Sequence, residues 1–147
     1  MKINARLTPD GAFIPAILTC REFSLFRYVY FLIDTGSAIS ALSSKDLGGN
    51  IDYSGFEKKS EAAIGVGGSL ECYLIHRVKL VIFTVEQKWM ELNTFDSMCL
   101  LPPSIDNLTY GRIYLPSIIS RDILGLKLDL FYLKDTGLYQ IGDVVFS

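Results

Sequence analysis

The pattern of apolar and polar residues along this chain predicts a protein built mostly from β-strands. Apolar residues alternate with polar ones, or form short unbroken runs, over residues 3–7, 12–18 and 23–33. The turn Thr8-Pro9-Asp10-Gly11 joins the first two of these segments into an opening hairpin. Further strands are predicted over residues 39–42, 61–64, 70–83, 79–85, 89–98, 113–119, 126–133 and 138–146.

Two short helical turns interrupt the strands. One follows Ser43 or Ser44 and ends at Gly48-Gly49, and the other covers residues 121–124 and ends at Gly125. Residues 50–60 are polar and predict a surface connection, whereas residues 101–112, with two prolines and a glycine, predict an irregular excursion. The predicted fold is therefore mostly β, with very little helix.

One strand ends in an unusual way, on a carboxylate. Residues 28–33 form an apolar run of the kind found in a strand buried on both faces, and Asp34 follows it directly. A buried acid must be hydrogen-bonded, paired or protonated, and the next three residues offer a hydroxyl from Thr35, a backbone N–H from Gly36 and a hydroxyl from Ser37. This arrangement predicts either a catalytic carboxylate or an ordinary Asp-Thr-Gly turn at the end of a strand.

Composition excludes several other kinds of site. Half of the 147 residues are hydrophobic, which is ample for the core of a single domain over residues 1–147. The 14 basic and 16 acidic residues give a net charge of −2, and no basic cluster exceeds Lys58-Lys59, which argues against a nucleic-acid partner. The single histidine, His76, argues against histidine metal clusters and a Ser-His-Asp triad.

The cysteines and the apolar segments bear on the compartment. Cys20, Cys72 and Cys99 are odd in number and lack metal-ligand spacing, so inert buried thiols in a reducing interior are expected. Residues 1–10 lack the apolar region of a signal peptide, and no apolar run approaches the ~18 residues of a membrane span. We expect a soluble cytoplasmic protein with no membrane partner.

Two further segments favour a catalytic role for Asp34 over an ordinary turn. Ala63-Ile64-Gly65-Val66-Gly67-Gly68 is a glycine-rich hairpin tip, and residues 115–124 pair an apolar strand with a short helix that contains Arg121-Asp122. With the Asp34 segment, in this order, they resemble the retropepsins, the single-domain aspartic proteases of retroviruses and their cellular and prokaryotic relatives. The resemblance covers roughly residues 25–130 and rests on the three segments together, because each alone is common.

The resemblance implies a fold and an activity. The fold would be a closed retropepsin-like (acid protease) β-barrel with a flap hairpin and one short C-terminal helix. Hydrolysis by this chemistry needs two carboxylates around one water, so a chain with one suitable aspartate must form a homodimer in which both copies of Asp34 meet. Such a pair shares one proton and titrates in two separate steps. No metal or organic cofactor is needed.

The other site residues take their roles from the same resemblance. Thr35 would hydrogen-bond across the dimer, and Gly36 would bond the substrate backbone. An extended peptide would bind beneath the flap tip, which includes Gly65 and Gly67, with Leu32, Ile64, Val66 and Ile118 forming pockets for large hydrophobic side chains. Ser37 would donate its hydroxyl to the carboxylate and so move the working pH in the acid direction.

The sequence also departs from the family pattern. Ala38 and Ile39 occupy positions where retroviral enzymes commonly carry an acid, so Arg121, a structural residue, must pair elsewhere, with Asp122 or another acid as candidates. Ser120 stands where the family has glycine. A second Asp-Thr-Gly begins at Asp135, but it follows a lysine and leaves only ten residues downstream, so a plain hairpin turn is predicted there.

Three functions remain open from the sequence. The first is the homodimeric aspartic endopeptidase described above. The second is a catalytically inactive retropepsin-like module that dimerises or binds peptides. The third is an ordinary β-barrel with a coincidental motif. The intact Asp34-Thr35-Gly36 and the flap glycines favour the enzyme, because a binding module has little use for a costly buried pair of carboxylates.

Overall fold

The computed structural model describes residues 2–48, 50–63, 69–84, 86, 89–105, 108–123, 129–133 and 138–142. The strands are β1 (Lys2–Thr8), β2 (Gly11–Cys20), β3 (Leu25–Ile33), β4 (Ala41–Ser43), β5 (Lys58–Ala63), β6 (Ser69–Phe83), β7 (Trp89–Leu101), β8 (Ser104–Ile105), β9 (Arg112–Ile113), β10 (Ile118–Ile119), β11 (Asp129–Leu133) and β12 (Leu138–Gly142). Two 3-10 turns lie at Ser44–Leu47 and Tyr53–Gly55, and residues 121–123 are α-helical.

Six of these strands close into a barrel. Around it the order is β2, β3, β10, β4, β7 and β6, and β6 pairs back onto β2. The closure depends on the length of β6, which pairs with β5 over its first residues and with β2 over residues 78–82. Arg77, between these two stretches, has a left-handed φ of 56°, which marks a bend in the strand. The prediction of a mostly β, closed barrel with one short helix is confirmed.

Four further strands extend the sheet at its two ends. The hairpin of β11 and β12 pairs through β12 with β1, so the last described residues of the chain lie beside the first. At the other end, β5 is the outer strand of the hairpin that it forms with β6. Within the described part of the chain, no helix is long and apolar enough to cross a membrane.

The core follows from the alternation in the strands. Along β2 every second residue is buried, and Val29 and Phe31 of β3 are buried beside it. Each of the larger buried side chains, such as Ile14, Leu18 and Phe31, contributes about 1.5–3 kcal/mol once it is removed from water. A second, smaller cluster contains Ala41, Cys72, Cys99, Leu101 and Ile118, with Leu32, Ile39 and Leu74 packed against it. Because Leu32 and Ile39 flank Asp34 in sequence, this second cluster forms the floor beneath the aspartate.

Three local predictions need correction. Residues 50–60 contain a 3-10 turn and the start of β5 as well as a connection, since Tyr53 and Phe56 pack against the core. The excursion at 101–112 forms a small hairpin of β8 and β9, which pair with each other and not with the barrel. The single strand predicted over 113–119 is divided between β9 and β10, because Tyr114 and Leu115 are exposed and only Ile118 and Ile119 pair with barrel strands.

Candidate active site

Asp34 lies at the end of β3, where a short parallel partner holds the backbone. β10 runs parallel to β3, with Ile118 opposite Leu32. The backbone N–H of Leu32 donates to the Ser117 carbonyl (2.8 Å), and that of Asp34 donates to the Ile119 carbonyl (3.0 Å). The apolar run therefore ends where two segments distant in sequence are hydrogen-bonded together, and this fixes the position of Asp34.

The Asp34 carboxylate is anchored by one oxygen. Oδ1 accepts hydrogen bonds from the backbone N–H groups of Gly36 (2.9 Å) and Ser37 (3.2 Å). Oδ2 accepts no hydrogen bond from any residue that the structure describes. A Cβ at position 36 would come within 3.2 Å of Oδ1, so glycine allows this close approach. The side chain is only half-buried, so Oδ2 remains available to a water molecule or a second carboxylate.

Ser37 supports this loop in a different way from the one predicted. Its hydroxyl donates to the Ile39 carbonyl (3.0 Å) and accepts from the Ile39 N–H (3.3 Å). The prediction that this hydroxyl donates to Asp34 is therefore wrong, because the backbone N–H of Ser37 makes that contact. The hydroxyl instead closes a local turn, a common use of serine in loops.

Arg121 also binds the Asp34 loop. Its Nε–H donates to the Ser37 carbonyl (3.1 Å), and its backbone N–H points to the same oxygen at 3.5 Å. This carbonyl is the partner that the sequence did not identify, since pairing with Asp122 or another acid was expected. Arg121 thus contacts a backbone carbonyl of the Asp34 loop and not a carboxylate.

Asp122 ties the short helix to the chain that leaves the Asp34 loop. One carboxylate oxygen accepts the Ser40 N–H (2.8 Å) and the other accepts the Ser40 hydroxyl (2.6 Å). The same hydroxyl oxygen accepts the backbone N–H of Ser120 (2.8 Å). Ser120 is completely buried, so the site accommodates its side chain.

A third link lies deeper in the barrel. The Ser117 hydroxyl donates to Asp46 Oδ2 (2.5 Å) and accepts the backbone N–H of Ser43 (2.8 Å). Ser37, Ser40 and Ser117, three of the buried serines in two segments that meet beside Asp34, use their hydroxyls in these hydrogen bonds. The hydroxyls of Ser43, Ser44 and Ser120 are also buried but have no hydrogen-bond partner within the described residues. Sequence reasoning missed this network. Its available signal was the concentration of serines in residues 37–44 and 117–120.

The structure brings together two of the predicted pocket residues. Leu32 and Ile118 are opposite each other in the parallel ladder, Leu32 half-buried and Ile118 only 4% exposed. In a single chain, Ile118 therefore contributes to the floor more than to an open pocket. β5 and β6 form a hairpin at the place where the flap is predicted, and they pair up to Ala63 and Ser69. The predicted tip residues Ile64, Gly65, Val66 and Gly67, like the second Asp-Thr-Gly, lie outside the described residues.

The arrangement offers acid–base chemistry and no evident metal site. Among the residues that the structure describes, no three His, Cys, Asp or Glu side chains are grouped to hold a metal ion. All three cysteines are buried and free of disulfides, as expected. No protein-family model matches the chain, and no curated protein is significantly similar to it in sequence. A function must therefore be argued from the site itself.

Proposed function

We propose that this protein is an aspartic endopeptidase that is active as a homodimer and cleaves peptide bonds between hydrophobic residues. The observation that carries the proposal is the Asp34 carboxylate, with Oδ1 fixed by two backbone N–H groups and Oδ2 without a partner in the described chain. An ordinary turn aspartate has no need of a parallel strand, an arginine and a buried serine network to hold its loop.

The chemistry requires two such carboxylates around one water. The ionised carboxylate removes a proton from the water, whose oxygen attacks the scissile carbonyl carbon. The protonated carboxyl donates its proton to the carbonyl oxygen, which gives a tetrahedral diol. When the C–N bond breaks, a proton passes to the leaving nitrogen and the diol becomes a carboxylic acid. Asp34 supplies one carboxylate and a second copy of the chain supplies the other.

The residues beside Asp34 are compatible with a two-fold contact. Thr35 and Gly36 are exposed, and the Thr35 hydroxyl has no hydrogen-bond partner within the described residues. This hydroxyl would bond across the dimer and hold the two Asp34 loops in register. The Gly36 carbonyl would accept a hydrogen bond from the substrate backbone, while its N–H remains on Asp34 Oδ1.

The substrate would be an extended peptide. It would lie over the floor that contains Leu32, beneath the hairpin of β5 and β6, with its main chain hydrogen-bonded on both sides. The floor residues Leu32, Ile39 and Leu74 are apolar, which favours hydrophobic side chains on either side of the cleaved bond.

Cleavage of a peptide library between pH 3 and 7 tests the proposal. Asp34→Asn should abolish cleavage, whereas the matched control Asp135→Asn, which changes the other Asp-Thr-Gly, should retain it. Activity should rise more steeply than linearly with protein concentration below the dimer dissociation constant. If wild type and Asp34→Asn are equally inert while folded and dimeric, the enzyme proposal fails and a peptide-binding module becomes the better explanation.

A further inference from the structure

The hairpin of β8 and β9, with the residues up to β10, presents a concentrated apolar surface. Six large side chains between positions 105 and 115 are 36% to 90% exposed, namely Ile105, Leu108, Tyr110, Ile113, Tyr114 and Leu115. The two strands pair through only two residue pairs and have no ladder to the barrel. Because an isolated two-stranded hairpin is marginally stable in water, a surface of this kind indicates a binding partner.

Tyr110 is the most prominent aromatic side chain of this hairpin. Tyr110 is 84% exposed, and its backbone has a left-handed φ of 55°, which residues other than glycine and asparagine rarely adopt. The next residue, Gly111, could adopt a left-handed backbone conformation without strain, yet Tyr110 is the residue that adopts it. A strained backbone that directs an aromatic ring into solvent makes sense where the ring has somewhere to bind.

A cavity of about 400 Å³ lies at the base of the same hairpin. Most of its wall is apolar or aromatic, formed by Ile51, Tyr53, Pro102, Pro103, Ile105 and Tyr114. On its polar side, Arg112 Nη1 donates to Asn50 Oδ1 (2.9 Å), which holds the hairpin against residues 50–53. The cavity is thus suited to an aromatic ring that enters from outside.

We propose that the occupant of this cavity is Tyr110 from a second copy of the chain. A protruding ring and a cavity on the same hairpin form a self-complementary surface, as a two-fold contact between identical chains requires. The six side chains together present on the order of 700 Å², at roughly 200 Å² for a fully exposed large side chain. A stable interface takes about 800 Å² from each partner, so this surface supplies most of one.

The composition of the hairpin also fits an interface between proteins. Tyrosine and arginine are enriched in such interfaces, and the hairpin surface contains Tyr110, Tyr114 and Arg112. The choice of a second copy as partner rests on the proposed function, in which Asp34 is incomplete alone. The chain that leaves the hairpin reaches Ser117, whose carbonyl accepts a hydrogen bond from the N–H of Leu32, two residues before Asp34. A contact between the hairpins of two copies would therefore also orient their two Asp34 sites relative to each other.

Substitutions at two exposed residues test the contributions of the ring and of the cavity separately. Tyr110→Ser removes the ring, and Ile105→Glu places a charge at the cavity wall. Phe26→Ser, on the outside of β3, removes an aromatic side chain of similar exposure and serves as the matched control. Sedimentation equilibrium should show the Tyr110→Ser homodimer weakened about a hundredfold, a factor of about ten for each of two symmetric contacts, with Phe26→Ser unchanged.

Mixing the two variants gives the sharper test. A heterodimer of Tyr110→Ser with Ile105→Glu retains one intact contact, ring from one copy and cavity from the other, whereas each homodimer retains none. Association, and peptide cleavage with it, should therefore be stronger in the mixture than in either variant alone. Circular dichroism must show that both variants are folded. The conservative variants Tyr110→Phe and Ile105→Val should dimerise like wild type, because they keep the ring and the apolar cavity wall.

The outcomes separate this inference from the proposed function. A wild-type dimer that Tyr110→Ser leaves intact, or a mixture no tighter than its components, overturns the hairpin contact. A rise in KM in Tyr110→Ser without loss of dimer also overturns it, and assigns the hairpin to substrate. If the mixture associates as expected but neither it nor wild type cleaves any peptide, the hairpin contact stands and the protease proposal fails.

Discussion

The carboxylate of Asp122 holds Ser40 by two hydrogen bonds, one to its backbone N–H (2.8 Å) and one to its hydroxyl (2.6 Å). The two residues are 82 positions apart in sequence, and their contact joins the short helix to the segment that leaves the Asp34 loop. The site is therefore held from outside by a carboxylate that has no place in the proposed chemistry.

Replacing Asp122 should destabilise the protein markedly. Asp122→Ala removes three hydrogen bonds to the carboxylate, two from Ser40 and one from the Ile123 N–H, and leaves the buried Ser40 donors without a partner. The free energy of unfolding should therefore fall by about 3 kcal/mol. Urea denaturation measures this change. Asp10→Ala, in the exposed turn between β1 and β2, should change stability by less than about 0.5 kcal/mol. Equal effects of the two substitutions would show that the Asp122 contact contributes nothing.

Ser37→Ala should affect stability and leave the pH dependence of activity unchanged. The hydroxyl binds Ile39 and not Asp34, so its removal leaves the two N–H donors on Asp34 Oδ1 in place. Loss of the buried contacts to Ile39 should cost about 1–2 kcal/mol of unfolding free energy. The measurements are urea denaturation and a pH–activity profile. A shift of the acid limb to higher pH would mean that the hydroxyl does support the ionised carboxylate in the active form.

Gly48→Ala should destabilise the protein because of a backbone requirement. Gly48 ends the first 3-10 turn with a φ of 90°, and a Cβ there would lie 2.8 Å from Arg27 Nη2. The left-handed backbone disfavours alanine, for a loss of about 1–2 kcal/mol, whereas the exposed Arg27 side chain can move away from the new Cβ at little cost. Gly55→Ala is the matched control, since nothing lies within 4 Å of the position of its Cβ. Thermal unfolding should show a lower Tm for Gly48→Ala alone.

The buried thiol pair predicts a loss of stability at alkaline pH. Cys72 and Cys99 lie with their Sγ atoms 2.9 Å apart in the floor beneath Asp34. Burial, and secondarily the hydrogen bond with Cys99, raises the pKa of the Cys72 thiol from 9.0 to about 12. Between these values the thiol ionises in the unfolded chain and not in the folded one, so its contribution is complete below pH 9 and is lost as the pH rises.

Comparison with Cys72→Ala isolates this effect from other groups that titrate at high pH. The difference in unfolding free energy between wild type and variant, from urea denaturation at pH 8 to 11, should shrink above pH 9 by up to about 1.4 kcal/mol per pH unit. A difference that stays constant over this range would contradict a raised thiol pKa in the folded protein.

Local chemistry was visible in the sequence. The strand before Asp34, the alternation in β2 and the turn at residues 8–11 all depend on neighbours within a few positions, and each appears in the fold where expected. The prediction that residues 28–33 are buried on both faces is wrong, because Tyr28 and Tyr30 are exposed and only the alternate residues Val29 and Phe31 are fully buried. Of the three predicted partners of the Asp34 carboxylate, the Gly36 N–H was correct, because a tight turn brings this N–H close to the carboxylate. The Ser37 hydroxyl was not, since the backbone N–H of the same residue is also within reach.

The sequence by itself determined that the chain is mostly β, that a strand ends at Asp34, and that a hairpin of β5 and β6 follows. These features come from side-chain periodicity and turn preferences, which act over short distances along the chain. Only the tertiary structure decided that β6 closes the barrel, that Arg121 binds the Ser37 carbonyl and that Asp122 holds Ser40. Those contacts join residues 58 or more positions apart, where several polar partners are chemically equivalent and only the folded geometry selects among them.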